Sequence, residues 1–168
     1  VVPRDVSGGF GEPLALADVP IVAVEALVER VGATAFLAAL HRASALARRP
    51  SDVRVFAGGP SPEKTATLRT GVGAVDLAAA DLDGDGTQDL AALAGEDPQL
   101  DVFGGEGAGR FSKLFSLAVA GGRELVALDA DGDGSRDLLA LPEGLSALLM
   151  PDGARGQATP ALRELVAA

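Results

Sequence analysis

The chain contains no cysteine, no tryptophan and no tyrosine, and has one histidine and six phenylalanines in 168 residues. Without cysteine there is no disulfide framework and no thiolate-held zinc, haem or iron–sulfur site. A single histidine, His41, removes His-rich metal sites and argues against a Ser-His-Asp triad. His41 itself reads as a surface or helix-face residue. The lack of Trp and Tyr removes the rings on which sugar-binding sites commonly stack pyranoses. Basic charge is also scarce, and the formal net charge is −10. The longest basic cluster, HRASALARR at 41–49, is short and has no aromatic neighbours for base stacking, so a nucleic-acid partner is not expected. No apolar run approaches the ~18 residues that a membrane-spanning helix needs. No signal peptide is visible, and the chain starts Val-Val-Pro rather than with Met. That start reads as a processed mature form or a piece of a longer polypeptide.

What remains is rich in small and aliphatic residues. Hydrophobic residues make up 48% and glycine supplies 22 positions. This is too apolar for an acidic disordered tail, and the length suffices for one domain with its own core. That core must be built mainly from Ala, Val and Leu. Phe10, Phe36, Phe56, Phe103, Phe111 and Phe115 read as its anchors rather than as a binding stripe.

The sequence repeats with a period near 48 residues. VDLAAADLDGDGTQDLAAL (75–93) matches ELVALDADGDGSRDLLAL (124–141), and in each copy an apolar strand and a Gly-rich turn follow, LDVFGGEGAGRF (100–111) and SALLMPDGARGQ (146–157). Upstream, VRVFAGGPSP (53–62) resembles LDVFGGEGAG. VVPRDVSGGFGEPLAL (1–16) resembles LMPDGARGQATPAL (149–162), and the terminal RELVAA (163–168) echoes RELVAL (123–128). Repeats of this length indicate solenoids, propellers or arrays. Within one unit the pattern predicts four short strands near 74–80, 89–94, 99–103 and 111–118, separated by Gly, Pro and Asp clusters. Inner strands such as LAALA and LLAL are continuous apolar runs, as expected of strands covered on both faces. The Gly-rich GGEGAG at 104–109 lacks the Lys of a phosphate loop and reads as a hairpin turn.

Residues 21–49 are ambiguous. IVAVEAL…TAFLAAL aligns as a degenerate unit with Thr34 under Thr87 and Leu40 under Leu93, but without the aspartates. The same stretch is rich in Ala, Leu, Glu and Arg, and Val24, Leu27, Val28 and Val31 have helical spacing. Strand hairpin and helix are balanced for 21–31, and a short helix is expected near 37–48.

The chemistry concentrates in two loops, DLDGDGTQDL (81–90) and DADGDGSRDL (129–138), which hold eight of the 24 acidic residues. Four carboxylates this close repel one another unless a cation intervenes, so ion binding and local folding are coupled. Ca²⁺ takes about six to eight oxygens, and Asp at the first, third, fifth and ninth positions can supply them, with a backbone carbonyl from the seventh. These are Asp81, Asp83, Asp85, the carbonyl of Thr87 and Asp89 in the first loop, and Asp129, Asp131, Asp133, the carbonyl of Ser135 and Asp137 in the second. Gly86 and Gly134 stand where the chain must turn sharply. An EF-hand needs an acid at the twelfth position, which here is Ala92 or Ala140, so that motif and dockerin-like modules are rejected. Mg²⁺ suits the loops less well, because it retains waters and demands near-ideal octahedral geometry. Metal-free Asp-Gly turns are the plain alternative, and duplication at the repeat period counts against it.

The motif, its spacing, the flanking apolar strands and the following Phe-Gly-Gly turn resemble the FG-GAP/VCBS-type repeats, a family that includes the calcium-bearing blades of integrin-α-like β-propellers. The resemblance covers about residues 53–160. It implies four-stranded blades with Ca²⁺ in the loop joining the first two strands, at the ten positions named above. The Gly-Ala-Pro element of the family is absent, and the first unit has no aspartates for a site.

The expected fold is therefore all-β, a propeller-like array of about three four-stranded blades with partial units at both ends. The units are a partial blade at 1–20, a degenerate blade at 21–70, calcium-binding blades at 71–118 and 119–162, and the start of a further unit at 163–168. Closed propellers have about four to eight blades, so three leave open ends. The chain is then either part of a larger propeller or pairs head to tail with copies of itself, with RELVAA and the strand at Val1–Val2 as donors. The expected function is a non-catalytic, extracellular or cell-surface module for adhesion, scaffolding or self-assembly, stabilised by two Ca²⁺ ions. An accessory domain of a larger secreted enzyme and a lectin-like binder are the alternatives.

Overall fold

A computed structural model describes residues 20–28, 35–43, 48–59, 62–119, 121–142, 146–150 and 163–166. All regular structure among them is β. Strands β1 (Ile21–Val28), β2 (Ala35–His41), β3 (Pro50–Ala57) and β4 (Lys64–Val72) form the first sheet. Strands β5 (Ala74–Ala80), β6 (Asp89–Ala94), β7 (Gln99–Gly107) and β8 (Arg110–Ala118) form the second. Strands β9 (Gly122–Leu128), β10 (Asp137–Pro142), β11 (Ser146–Met150) and β12 (Arg163–Val166) form the third. Each sheet is an antiparallel meander in chain order, which the short Gly- and Asp-rich connections favour. Among the described residues no helix is long and apolar enough to cross a membrane.

The sheets stack face to face through two apolar layers. Between the first and second sheets, Leu27, Phe36, Ala38, Leu40, Val53 and Val55 meet Ala74, Leu77, Leu90, Ala92 and Phe103. Between the second and third, Ala78, Ala80, Ala91, Leu93, Leu100 and Val102 meet Leu125, Leu138 and Ala140. The central sheet is thus covered on both sides, and all six residues of β6 are buried. This accounts for its unbroken apolar run, since alternation marks a strand with one wet face. Its alanines allow close approach of the sheets, which aromatic residues in those places would prevent.

The helix expected near 37–48 does not form over its described part. Residues 35–41 are β2, and 42–43 continue without helix. Residues 44–47 lie outside the described residues. Helix propensity of Ala and Leu is worth only tenths of a kcal/mol per residue, and tertiary burial overrides it. Ala38, Ala39 and Leu40 are fully buried between β1 and β3. The balanced reading of 21–31 resolves to strand for Ile21–Val28. His41 is also not a surface residue: it is 1% exposed at the end of β2. Residues 163–166, read as the first strand of a further unit, instead pair with β11 as the outer strand of the third sheet. Once three strands of a meander are in place, the open edge of β11 is the nearest set of unpaired backbone groups. The partial unit at 1–19, with Val1, Val2 and Phe10, lies outside the described residues.

Candidate metal centre

The two Asp loops connect the first and second strands of their sheets, β5 to β6 and β9 to β10. Each is shaped by its own carboxylates. In the first, Asp81 accepts from the N–H of Gly84 at 2.7 Å through Oδ1 and from that of Gly86 at 2.9 Å through Oδ2. Asp83 Oδ1 accepts from the N–H of Asp85 at 3.0 Å, and Asp85 Oδ1 from that of Thr87 at 2.6 Å. Asp89 Oδ2 accepts from the N–H of Leu82 at 2.7 Å.

Every one of these bonds recurs 48 residues on. Asp129 accepts from Gly132 at 2.7 Å and Gly134 at 3.0 Å, Asp131 from Asp133 at 3.1 Å, Asp133 from Ser135 at 2.7 Å, and Asp137 from Ala130 at 2.7 Å. Gly84 and Gly86 have φ of 77° and 88°, and Gly132 and Gly134 have 81° and 91°. A side chain at these positions would strain the turn, so the glycines are what lets the carboxylates fold inward.

Carboxylate oxygens of Asp81, Asp83 and Asp89 all lie within 4.8 Å of one another, as do those of Asp129, Asp131 and Asp137. In each group the ninth-position acid is buried and the others are more open. Asp85 and Asp133, also read as ligands, fall outside these trios; they are exposed, and each accepts from the N–H of the residue two further on. Thr87 and Ser135 are tied into the loops by those N–H groups.

The donor set fits a hard divalent cation. It consists of carboxylate oxygens, and each oxygen that already accepts one N–H retains a second lone pair. Burial pushes the Asp89 carboxyl up to about 6, with the bonds from Gly105 and Leu82 opposing that rise and the Asp83 charge adding to it. A cation between the two carboxylates would offset both the lost hydration and the repulsion. Asp81, Asp83 and Asp89, and Asp129, Asp131 and Asp137, would hold it, and the ion would supply positive charge that lets the loop close.

Two further positions were not singled out from the sequence, one that supports the first loop and one that joins two sheets. Gly105 in β7 donates its N–H to Asp89 Oδ1 at 2.8 Å. A Cβ there would collide with the carbonyl oxygen of Gln88 and lie 2.9 Å from Thr87 Cγ2. In the sequence it stands only as one glycine of the turn GGEGAG. The second is Asp101, fully buried in β7, which ties the second sheet to the first. It accepts from Thr70 Oγ1 at 2.8 Å and Gly71 N at 3.2 Å across the sheets, and from Gln99 Nε2 at 2.7 Å, Ser116 Oγ at 2.6 Å and Lys113 Nζ at 2.7 Å within its own. Its only trace in the sequence is a lone acid in the apolar run LDVF.

The comparisons agree with this geometry. Residues 81–140 match the family model of the FG-GAP-like repeat, a span that begins at the first acid of one loop and includes the whole of the other. No curated protein and no solved structure matches the chain.

Proposed function

Starting from the FG-GAP-like repeat carried by residues 81–140, we propose that this chain is a calcium-stabilised, non-catalytic module that serves adhesion, scaffolding or self-assembly outside the cell or at its surface. The observation that carries the reading is the duplication of the loops bond for bond, with a carboxylate trio in each. A solvated turn has no need to bury its ninth-position carboxylate, yet Asp89 and Asp137 are 0% and 2% exposed.

Calcium acts here as a structural tie. Each loop joins the inner strand of a sheet to its neighbour, so an ion bound there holds the hairpin in register. Extracellular calcium is abundant enough to fill sites with Kd as weak as about 10⁻⁴–10⁻³ M. Among the described residues the buried carboxylate outside the loops, Asp101, is engaged structurally, which supports a binding role over chemistry.

Isothermal titration with CaCl₂ tests this reading. The intact chain should bind two ions, Asp81→Asn and Asp129→Asn one each, and the double variant none. Equal binding by all four proteins refutes it.

A further inference from the structure

The first strand of each sheet carries an irregularity, and it falls at the same place in all three. In β1 the pairing steps from Ile21–His41 to Ala23–Leu40, so Val22 is an extra residue with no counterpart on β2. In β5 it steps from Ala74–Ala94 to Asp76–Leu93, which makes Val75 the extra residue. In β9 it steps from Gly122–Pro142 to Glu124–Leu141, which makes Arg123 the extra residue. A bulge of this kind interrupts the ladder and re-aims a side chain, and bulges are over-represented beside functional sites.

The three bulge residues line one cavity of about 400 Å³. It lies at the starts of β1, β5 and β9, whereas the Asp loops follow the ends of β5 and β9. Arg42 follows the residue paired with Ile21, and Gly95 follows the residue paired with Ala74, so they hold equivalent places in their sheets. Both also line the cavity. A Cβ at Gly95 would stand 2.9 Å from Val75 Cγ2. The second sheet thus contributes no side chain at the place where the first contributes a guanidinium.

The lining combines two exposed guanidiniums, Arg42 and Arg123, with the aliphatic side chains of Val22 and Val75. Among the described residues no carboxylate lines it, in a chain whose formal net charge is −10. Small-molecule sites have this character: a concavity of roughly 300–1,000 Å³ with apolar wall and a few polar groups that fix orientation. A guanidinium offers paired N–H donors that match a carboxylate, and its five donors let it hold a ligand as well as a partner within the chain.

We propose that this cavity binds a small aliphatic carboxylate, with the carboxylate on Arg42 and Arg123 and the hydrocarbon part against Val22 and Val75. The guanidiniums select an anion over a neutral molecule of the same shape. The valines select an anion with a hydrocarbon body over a bare inorganic one. The site goes beyond the calcium reading and does not rest on it, because no acid of the Asp loops lines the cavity.

Two-dimensional amide NMR of the 168-residue chain in calcium tests this, with hexanoate as the probe and hexanamide and inorganic phosphate as controls. Hexanoate should shift the signals of Gly95 and Gly122, both on the cavity wall, along a saturable curve. Arg42→Gln and Arg123→Gln should each weaken binding about tenfold or more, the usual consequence of losing hydrogen bonds to a charged group. Val75→Ala should weaken it by a smaller factor, about severalfold, through lost apolar contact. Hexanamide and phosphate should each bind at least about tenfold more weakly than hexanoate, by the same reasoning. Both arginines are exposed, so their variants should remain folded, which the dispersion of the remaining amide signals reports. A wild type that shows no saturable shift with hexanoate overturns the proposal. So does equal affinity in folded arginine variants, or hexanamide or phosphate binding as tightly as hexanoate.

Discussion

The N–H of Gly105 donates to Asp89 Oδ1 at 2.8 Å, while the N–H of Leu82 donates to Oδ2 of the same carboxylate at 2.7 Å. One buried side chain thus fastens both the start of the Asp loop and the third strand of the sheet. The loop's shape depends on a strand that contributes none of its carboxylates.

Gly105→Ala should therefore act on the candidate metal site from outside it. The added methyl meets the Gln88 carbonyl and the Thr87 side chain, and backbone must move to admit it. A loss of about 1–3 kcal/mol of stability is expected, the usual range for overpacking a tight site. Urea unfolding in calcium measures this, and titration should show weakened affinity at one of two sites. Unchanged stability and unchanged affinity would contradict the geometry.

Asp101 is expected to be the most sensitive acid outside the loops. Asp101→Ala leaves Thr70 and Ser116 without their shared acceptor and removes one tie between the first two sheets. Loss of a buried charged hub of this kind costs roughly 3–5 kcal/mol. Lys113→Met should cost far less, about 1 kcal/mol or under, because the lysine side chain is 44% exposed and solvent screens its charge. Chemical denaturation of the two variants side by side checks the ordering.

Asp101 also sets a pH dependence. Burial alone would raise its pKa, but the bonds from Lys113, Ser116, Thr70 and Gln99 outweigh burial and hold it below the ordinary 3.8. The folded state therefore binds this proton less readily than the unfolded state. The stability this contributes is fully present above 3.8 and is lost as pH falls below that value through the folded pKa. Melting temperature measured from neutral pH downward in EDTA should fall in this acid window. Asp101→Asn should show a shallower fall there.

Much of the fold was legible because two signals coincide in the second and third sheets. The expected strands at 74–80 and 89–94 match β5 and β6, since the Asp loop and the apolar runs both mark their ends. The expected hairpin turn at 104–109 is tighter than its glycines suggested: the strands run on to Gly107 and resume at Arg110. In the first sheet no Asp loop punctuates the chain, so Ala- and Leu-rich β2 resembled a helix until its burial on both faces was known. His41 was misplaced for the same reason, because a residue at the end of a helix face and one at the end of a central strand look alike in sequence. The carboxylates of each loop were legible as a group. Which oxygens lie within 4.8 Å of one another was not, because it depends on the backbone angles at Gly84, Gly86, Gly132 and Gly134.

The central claim is that the loops are calcium ties, and thermal unfolding in EDTA against CaCl₂ tests it most directly. An ion that binds only the folded state stabilises by about 2.7 kcal/mol per site at one hundred times its Kd. The wild type should melt several degrees higher in saturating calcium, and the Asp81→Asn, Asp129→Asn double variant should melt at one temperature in both. A wild type whose melting temperature is the same with EDTA and with calcium would contradict the account.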